Sequence, residues 1–191
     1  MPSLTRRKFL SIALAGALTA TSVVSARASE ELVRLERIGV HATADGGYVL
    51  NGHYVLNLTP MLAEALLKGV SFAFIQAFEA ERPRDYWFAQ QIAVVHRHLL
   101  LSYNALLRQY QLQIGQAHQN FDTLSEALDA LGDISGWPVL SKGQIQKGAT
   151  YQVRVRMYFD PSKLSKPLQL NAFASERWDM DSGWFSWPFK P

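Results

Sequence analysis

Alternation of apolar and polar residues is the dominant pattern along this chain. It is cleanest at Tyr151–Phe159, where Tyr151, Val153, Val155, Met157 and Phe159 alternate with Gln152, Arg154, Arg156 and Tyr158. A period of two marks a strand with one face in a core and the other in water. The same signal predicts strands at Leu32–Thr43, with Ile38, Val40 and Ala42 on one face, and at Tyr48–Leu58. In the latter, Leu50, Tyr54, Leu56 and Leu58 face in, and Asn51, His53 and Asn57 face out. Asp45-Gly46-Gly47 between them is a hairpin turn signal. Ile92–Tyr103 and Leu106–Ile114 form a second hairpin around Asn104-Ala105. Tyr110, Leu112 and Ile114 face in there, and Gln109, Gln111 and Gln113 face out. Val70–Glu81 is apolar on both faces, as in a strand covered on both sides.

Helical spacing occurs twice. Thr59 can cap a short helix that begins at Pro60, presents Leu62, Ala65 and Leu66 on one face, and stops at Gly69. Thr123-Leu124-Ser125-Glu126 is a capping box opening a helix with Leu124, Leu128 and Leu131 on one stripe, ended by Gly132. Trp137-Pro138 reads as loop, and Leu168–Ala174 as a seventh strand behind Pro161 and Pro167. Seven strands joined by hairpins, with two short helices, predict a mostly β, antiparallel sandwich of immunoglobulin-like architecture. The inter-sheet cysteine pair of true immunoglobulin domains is missing, so the term describes architecture only. An α+β layering is the alternative.

The first 28 residues follow a different pattern. Arg6-Arg7-Lys8-Phe9-Leu10 precedes an apolar run from Ile12 to Val24, and Ala26-Arg27-Ala28 supplies a small-x-small cleavage point. This is the layout of an export signal, and the paired arginines point to the twin-arginine route. Cleavage after Ala28 leaves one domain, residues 29–191, in the periplasm. The alternative is an uncleaved anchor through residues 9–26 with the domain facing the same compartment. The whole chain carries +3, but Arg6, Arg7, Lys8 and Arg27 belong to the leader. The remainder therefore holds 15 basic and 16 acidic residues. A nucleic-acid binder keeps its basic stripe on the folded part, so nucleic acid is set aside as a partner. Contact with membrane is expected only through the leader during export. With no cysteine there is no disulfide, thiol nucleophile or thiolate metal site.

Candidate chemistry is sparse. His41 and His53 share the outward face of the first hairpin, opposite or diagonal if its turn has three residues. His96 and His98 share one face of a later strand. Converging, they would hold zinc or copper; unconverged, they are exposed strand histidines, the preferred reading. Glu79, Glu81 and Asp85 are read as solvated acids paired with Arg82 and Arg84. Asp179-x-Asp181-x-Gly183 echoes a calcium loop without its bidentate glutamate. Nucleophile elbow, zinc-protease helix, phosphate loop and dinucleotide fingerprint are all missing from the sequence. The aromatic groups are the Tyr86-Trp87 loop and the tail of Trp178, Trp184, Phe185, Trp187 and Phe189. They can close the core or form a docking platform, and closure is the preferred reading of the tail.

Several stretches carry a family likeness. They are Asp45-Gly46-Gly47-Tyr48 with Asn51, Leu58-Thr59-Pro60 with Glu64-Ala65-Leu66, and Arg82-Pro83-Arg84 with Tyr86-Trp87-Phe88. To these add Leu101–Leu106 with Arg108-Gln109-Tyr110, Lys166-Pro167 with Asn171-Ala172, and Trp178 with Trp184-Phe185-x-Trp187-Pro188-Phe189. In these the chain resembles a proteobacterial family of small exported proteins, classed as a domain of unknown function and also labelled proline-rich signal peptide proteins. The resemblance implies no activity, cofactor or catalytic residue. It does imply an association with two-component sensor kinases. The expectation is a non-enzymatic, cofactor-free binding or accessory module for an envelope protein or ligand. Its contact residues are expected among Arg82, Arg84, Tyr86, Trp87, Arg154, Arg156, Trp184 and Trp187. A metal-binding protein or envelope hydrolase using His41, His53, His96 and His98 is the alternative.

Overall fold

A computed structural model describes residues 32–84, 88–173 and 178–191, without the side chains of Asn171 and Phe173. The expected leader, Asp85, Tyr86 and Trp87 lie outside the described residues. The chain first forms a hairpin, β1 (Val33–Ala42) and β2 (Tyr48–Leu56), and α1 (Pro60–Leu67). Then come β3 (Phe72–Arg82), β4 (Gln90–Asn104), β5 (Gln109–Ile114) and β6 (Ala117–Phe121). Helix α2 (Leu124–Gly132) runs without a loop into β7 (Asp133–Leu140), followed by β8 (Tyr151–Phe159), α3 (Lys166–Phe173) and β9 (Phe185–Phe189). These strands build two antiparallel sheets in the order β1-β2-β7 and β6-β5-β4-β3-β8-β9. The architecture is the expected sandwich-like one, open rather than a closed barrel. No helix among the described residues is long and apolar enough to cross a membrane.

One face of the six-stranded sheet meets the core. Phe72, Phe74 and Phe78 of β3 lie beside Leu99 and Leu101 of β4, and beside Val153, Val155 and Met157 of β8, all buried. Leu50, Tyr54 and Leu56 of β2, with Ile134, Trp137 and Val139 of β7, face them in the same cluster, together with Leu62 and Leu66 of α1 and Leu131 of α2. Both expected helix caps form. The Thr59 hydroxyl accepts from the Leu62 N–H at 3.3 Å, and the Thr123–Glu126 capping box is reciprocal. Gly132 ends α2 hard against β2, where a Cβ would stand 1.9 Å from the Tyr54 carbonyl oxygen. Only glycine lets the two backbones approach so closely.

Three expectations are corrected. Trp137-Pro138 lies in strand β7, not a loop, and its proline is tolerated because β7 is an edge strand. Leu168–Ala174 is not a strand. Lys166–Phe173 is helical, with Leu170 exposed, so the two-residue spacing of Leu168, Leu170 and Ala172 is misleading. Strands β6 and β9 add to the expected set, and a third helix joins the two expected. The tail mostly closes the core: Trp178 and Met180 are buried, and Phe189 packs edge-on against Tyr48 at 5.4 Å.

One polar group sits inside this apolar interior. Gln76, 1% exposed, lies on the same β3 face as Phe74 and Phe78. Its Oε1 accepts from Nε and Nη2 of Arg97, and its Nε2 donates to the Leu131 carbonyl at 3.4 Å. Arg97 also donates to the Asp133 carbonyl at 3.0 Å and stacks 5.2 Å from the Trp137 ring. This network ties β3 and β4 to the α2–β7 junction, and so one sheet to the other.

Candidate functional site

The other face of the six-stranded sheet is built from the alternate residues. Ala73, Ile75 and Ala77 of β3 are its floor. Arg156 and His96 flank Ala77 on β8 and β4, Tyr158 and His98 flank Ile75, and Arg154 and Val94 flank Glu79. Small residues between two rows of long ones make a shallow trough along β3. Val94, His96 and His98 are exposed, so this wall faces water. At the Ala73 end a hollow of about 390 Å³ lies between His98, Gln113, Asp160 and Lys163.

The β8 wall is a braced cationic cluster. Arg154 Nε donates to Glu79 Oε2 at 2.8 Å, and its Nη2 stands 3.6 Å from Glu81. Arg156 Nε donates to Asp181 Oδ1 at 2.8 Å, and its Nη2 pairs with Asp181 Oδ2. Both guanidiniums lie against the Trp184 ring, at 4.8 and 5.9 Å, and Arg156 also covers Tyr158 at 4.9 Å. Burial pushes the Asp181 carboxyl up. The bonds from Arg156 and from the Gly183 N–H at 2.8 Å, with the arginine's charge, outweigh it and hold the group below its ordinary range. The bond to Asp181 in turn raises Arg156. An arginine has five N–H donors, and these pairings use only part of them. The cluster can therefore still donate to a carboxylate or carbonyl while offering the Trp184 ring, 41% exposed, for stacking.

Of the expected contact residues, Arg154, Arg156 and Trp184 come together here. Arg82 and Arg84 lie elsewhere, bonded to Gln146 at 2.7 Å and to Gln90 at 2.5 Å. They do not pair with Glu79 and Glu81, whose cation is Arg154. Trp187 lies opposite buried Val153 and packs against the core rather than on the outer face. Tyr86 and Trp87 are not described. The histidines do not converge. His41 pairs with Val49 and His53 with Arg37, because the first turn spans residues 43–47 rather than three residues. His53 is buried, 3.4 Å from Asp129 of α2, whereas His96 and His98 belong to the other sheet. Among the described residues no three His, Asp or Glu side chains are placed to hold a metal ion. The Asp181 carboxylate is taken by Arg156, so the calcium-loop echo has no free ligand there.

Tyr158, Glu79 and Asp181 complete the cluster, although none is among the expected contact residues. The outward position of Tyr158 is readable from the β8 alternation. The pairing of Asp181 with Arg156, 25 residues apart, carries no local signal. Neither a curated protein nor a solved structure matches the chain. Residues 30–188, nearly everything after the leading segment, match the domain of unknown function DUF4390, and the chain belongs to that family.

Proposed function

We propose that this chain is an exported, non-enzymatic binding module of the cell envelope, and that it engages a protein partner through the outer trough of the six-stranded sheet. The observation that carries the reading is the convergence of Arg154, Arg156 and Trp184 on a sheet face whose β4 wall is exposed among the described residues. Arginine and tryptophan are enriched among the residues that dominate binding energy at interfaces. Here both guanidiniums are already oriented by carboxylates, so little side-chain freedom is lost on docking. Export rests on the basic head, apolar run and Ala26-Arg27-Ala28 of the leader. The family resemblance adds proteobacterial origin and a sensor-kinase setting.

The test is photo-cross-linking in living cells from a reactive residue placed at exposed position 96. An envelope protein is expected to be captured, and capture is expected to fail with Trp184→Ala in the same chain. A probe at Lys142, away from the trough, should capture nothing. Capture unchanged by Trp184→Ala would move the contact surface elsewhere. Intact chain found only in the cytosol would overturn export.

A further inference from the structure

A sheet edge presents unpaired N–H and C=O groups, and proteins usually blunt such edges with charge, proline or bulges. Among the described residues, three of the four sheet edges are blunted. Strand β1 carries Arg34, Glu36 and Arg37 with a register break at Leu35/Arg37. Strand β7 carries Pro138 and faces register breaks along β2, and β9 carries Pro188. The fourth, β6, reads Ala117-His118-Gln119-Asn120-Phe121. It has no proline and no Lys, Arg, Asp or Glu, and it pairs with β5 in unbroken register. Ala117 through Asn120 are exposed.

The hairpin fixes which groups are free. Its two-residue turn, Gly115-Gln116, closes on the Ile114–Ala117 pair, so Ala117, Gln119 and Phe121 exchange hydrogen bonds with β5. His118 and Asn120 must then turn their N–H and C=O groups outward, and neither has another backbone partner among the described residues.

We propose that β6 pairs antiparallel with β6 of a second copy of this chain, about a two-fold axis through Gln119. The edge is self-complementary in that register. His118 faces Asn120 of the other copy, and Asn120 faces its His118, so both outward-turned residues fall in pairs that exchange both main-chain bonds. On the side chains, imidazole meets amide twice and Gln119 meets Gln119, all combinations of donor and acceptor with no like charges opposed. Such a contact is isologous and closes on itself, giving a dimer rather than a fibre. Five residues per copy fall at the low end of interface size, under about 1,200 Å² in total, where association is transient. The inference is independent of the trough reading, although it would join two six-stranded sheets, and their outer faces, into one.

The absence of cysteine makes the test direct. Residues at the axis form a wide pair with Cα atoms about 4.5 Å apart, within disulfide reach. Residues at position 116 would be about 20 Å apart in the same register. The protein purified as the cell holds it should show a weight-average mass that rises with concentration in sedimentation. Gln119→Cys should form a disulfide dimer under mild oxidation, and Gln116→Cys should not. Gln119→Lys opposes like charges on the axis and should raise the dimer dissociation constant at least tenfold. Both positions are exposed, so folding is expected to be retained, and circular dichroism checks it. A mass that stays monomeric with Gln119→Cys unlinked overturns the proposal. So does preferential linking through position 116, or disulfide capture in cells of a different protein by the Gln119→Cys variant in place of a second copy.

Discussion

Replacing Arg97 with methionine tests whether the buried Gln76–Arg97 network holds the two sheets together. Methionine keeps most of the aliphatic stem and removes the guanidinium. The bonds to Gln76, the bond to the Asp133 carbonyl and the stacking on Trp137 all disappear. The larger loss falls on Gln76, whose Oε1 is left without a donor in a residue 1% exposed. An unsatisfied buried amide oxygen costs ~1–3 kcal/mol, and lost cation–π stacking ~0.5–2 kcal/mol. Against this, burial disfavours the charged guanidinium, lowering Arg97 below its ordinary value despite the nearby Asp133 charge. Removing the charge relieves that penalty. The balance is a destabilisation of about 2–3 kcal/mol, or roughly 4–12 °C in Tm for a domain of this size. Urea unfolding followed by circular dichroism reads it. The double variant Arg97→Met/Gln76→Leu leaves no orphaned side-chain amide, only the Leu131 and Asp133 carbonyls without these donors, and should lose less than the sum of the two single variants. An Arg97→Met protein within about 0.5 kcal/mol of the parent, or a double variant showing two full losses, would refute the reasoning.

Trp178 is buried and meets Phe72 and Phe159 with ring centroids 6.0 Å away in each case, so Trp178→Ala should cost ~3–5 kcal/mol in the same urea assay. Gly132→Ala puts a Cβ into the Tyr54 carbonyl and should yield insoluble or unfolded protein, read by solubility and circular dichroism; a normally folded variant would mean that α2 can move off β2. The depressed Asp181 carboxyl contributes stability that is complete above its unfolded value of about 4 and fades as pH falls through the lower folded value. The stability gap between the parent and Asp181→Asn should therefore hold at pH 5–7 and shrink only below pH ~4; a gap constant into strong acid would contradict the pairing with Arg156.

Local signals in the sequence are legible where they are strong. The alternation of Tyr151–Phe159 places β8, and the Thr123–Glu126 box starts α2, because each rests on contacts a few residues apart. Strand β6 leaves no such signal because Ala117–Asn120 are all exposed, with no buried face to write a period into the sequence. Strand β7 is hidden by Pro138, which an edge strand tolerates and a central one does not. Leu168, Leu170 and Ala172 imitate a strand, although Leu170 ends up facing water. The candidate site is half visible: Arg154 and Arg156 follow from parity and Trp184 from aromatic content. Their acids come from β3 and from the segment before β9, and those pairings exist only once the sheet has formed. Gln76 sits in view among phenylalanines, but its partner Arg97 is set by strand register, which alternation alone does not fix.

The order in which the chain visits the two sheets has a kinetic consequence. The β1–β2 hairpin waits for β7 to complete its sheet, and β3, made early, waits for β8 on its open side. Trp178, Met180 and β9 all follow β8 in the chain. Little of the hydrophobic interior can seal before β7, β8 and the segment after them have left the ribosome, and pairings this distant form slowly. The newborn polypeptide thus remains threadable until that segment has emerged. Any factor that binds unfolded chains has that whole interval in which to hold it, whereas one that accepts only the finished fold must wait for β9.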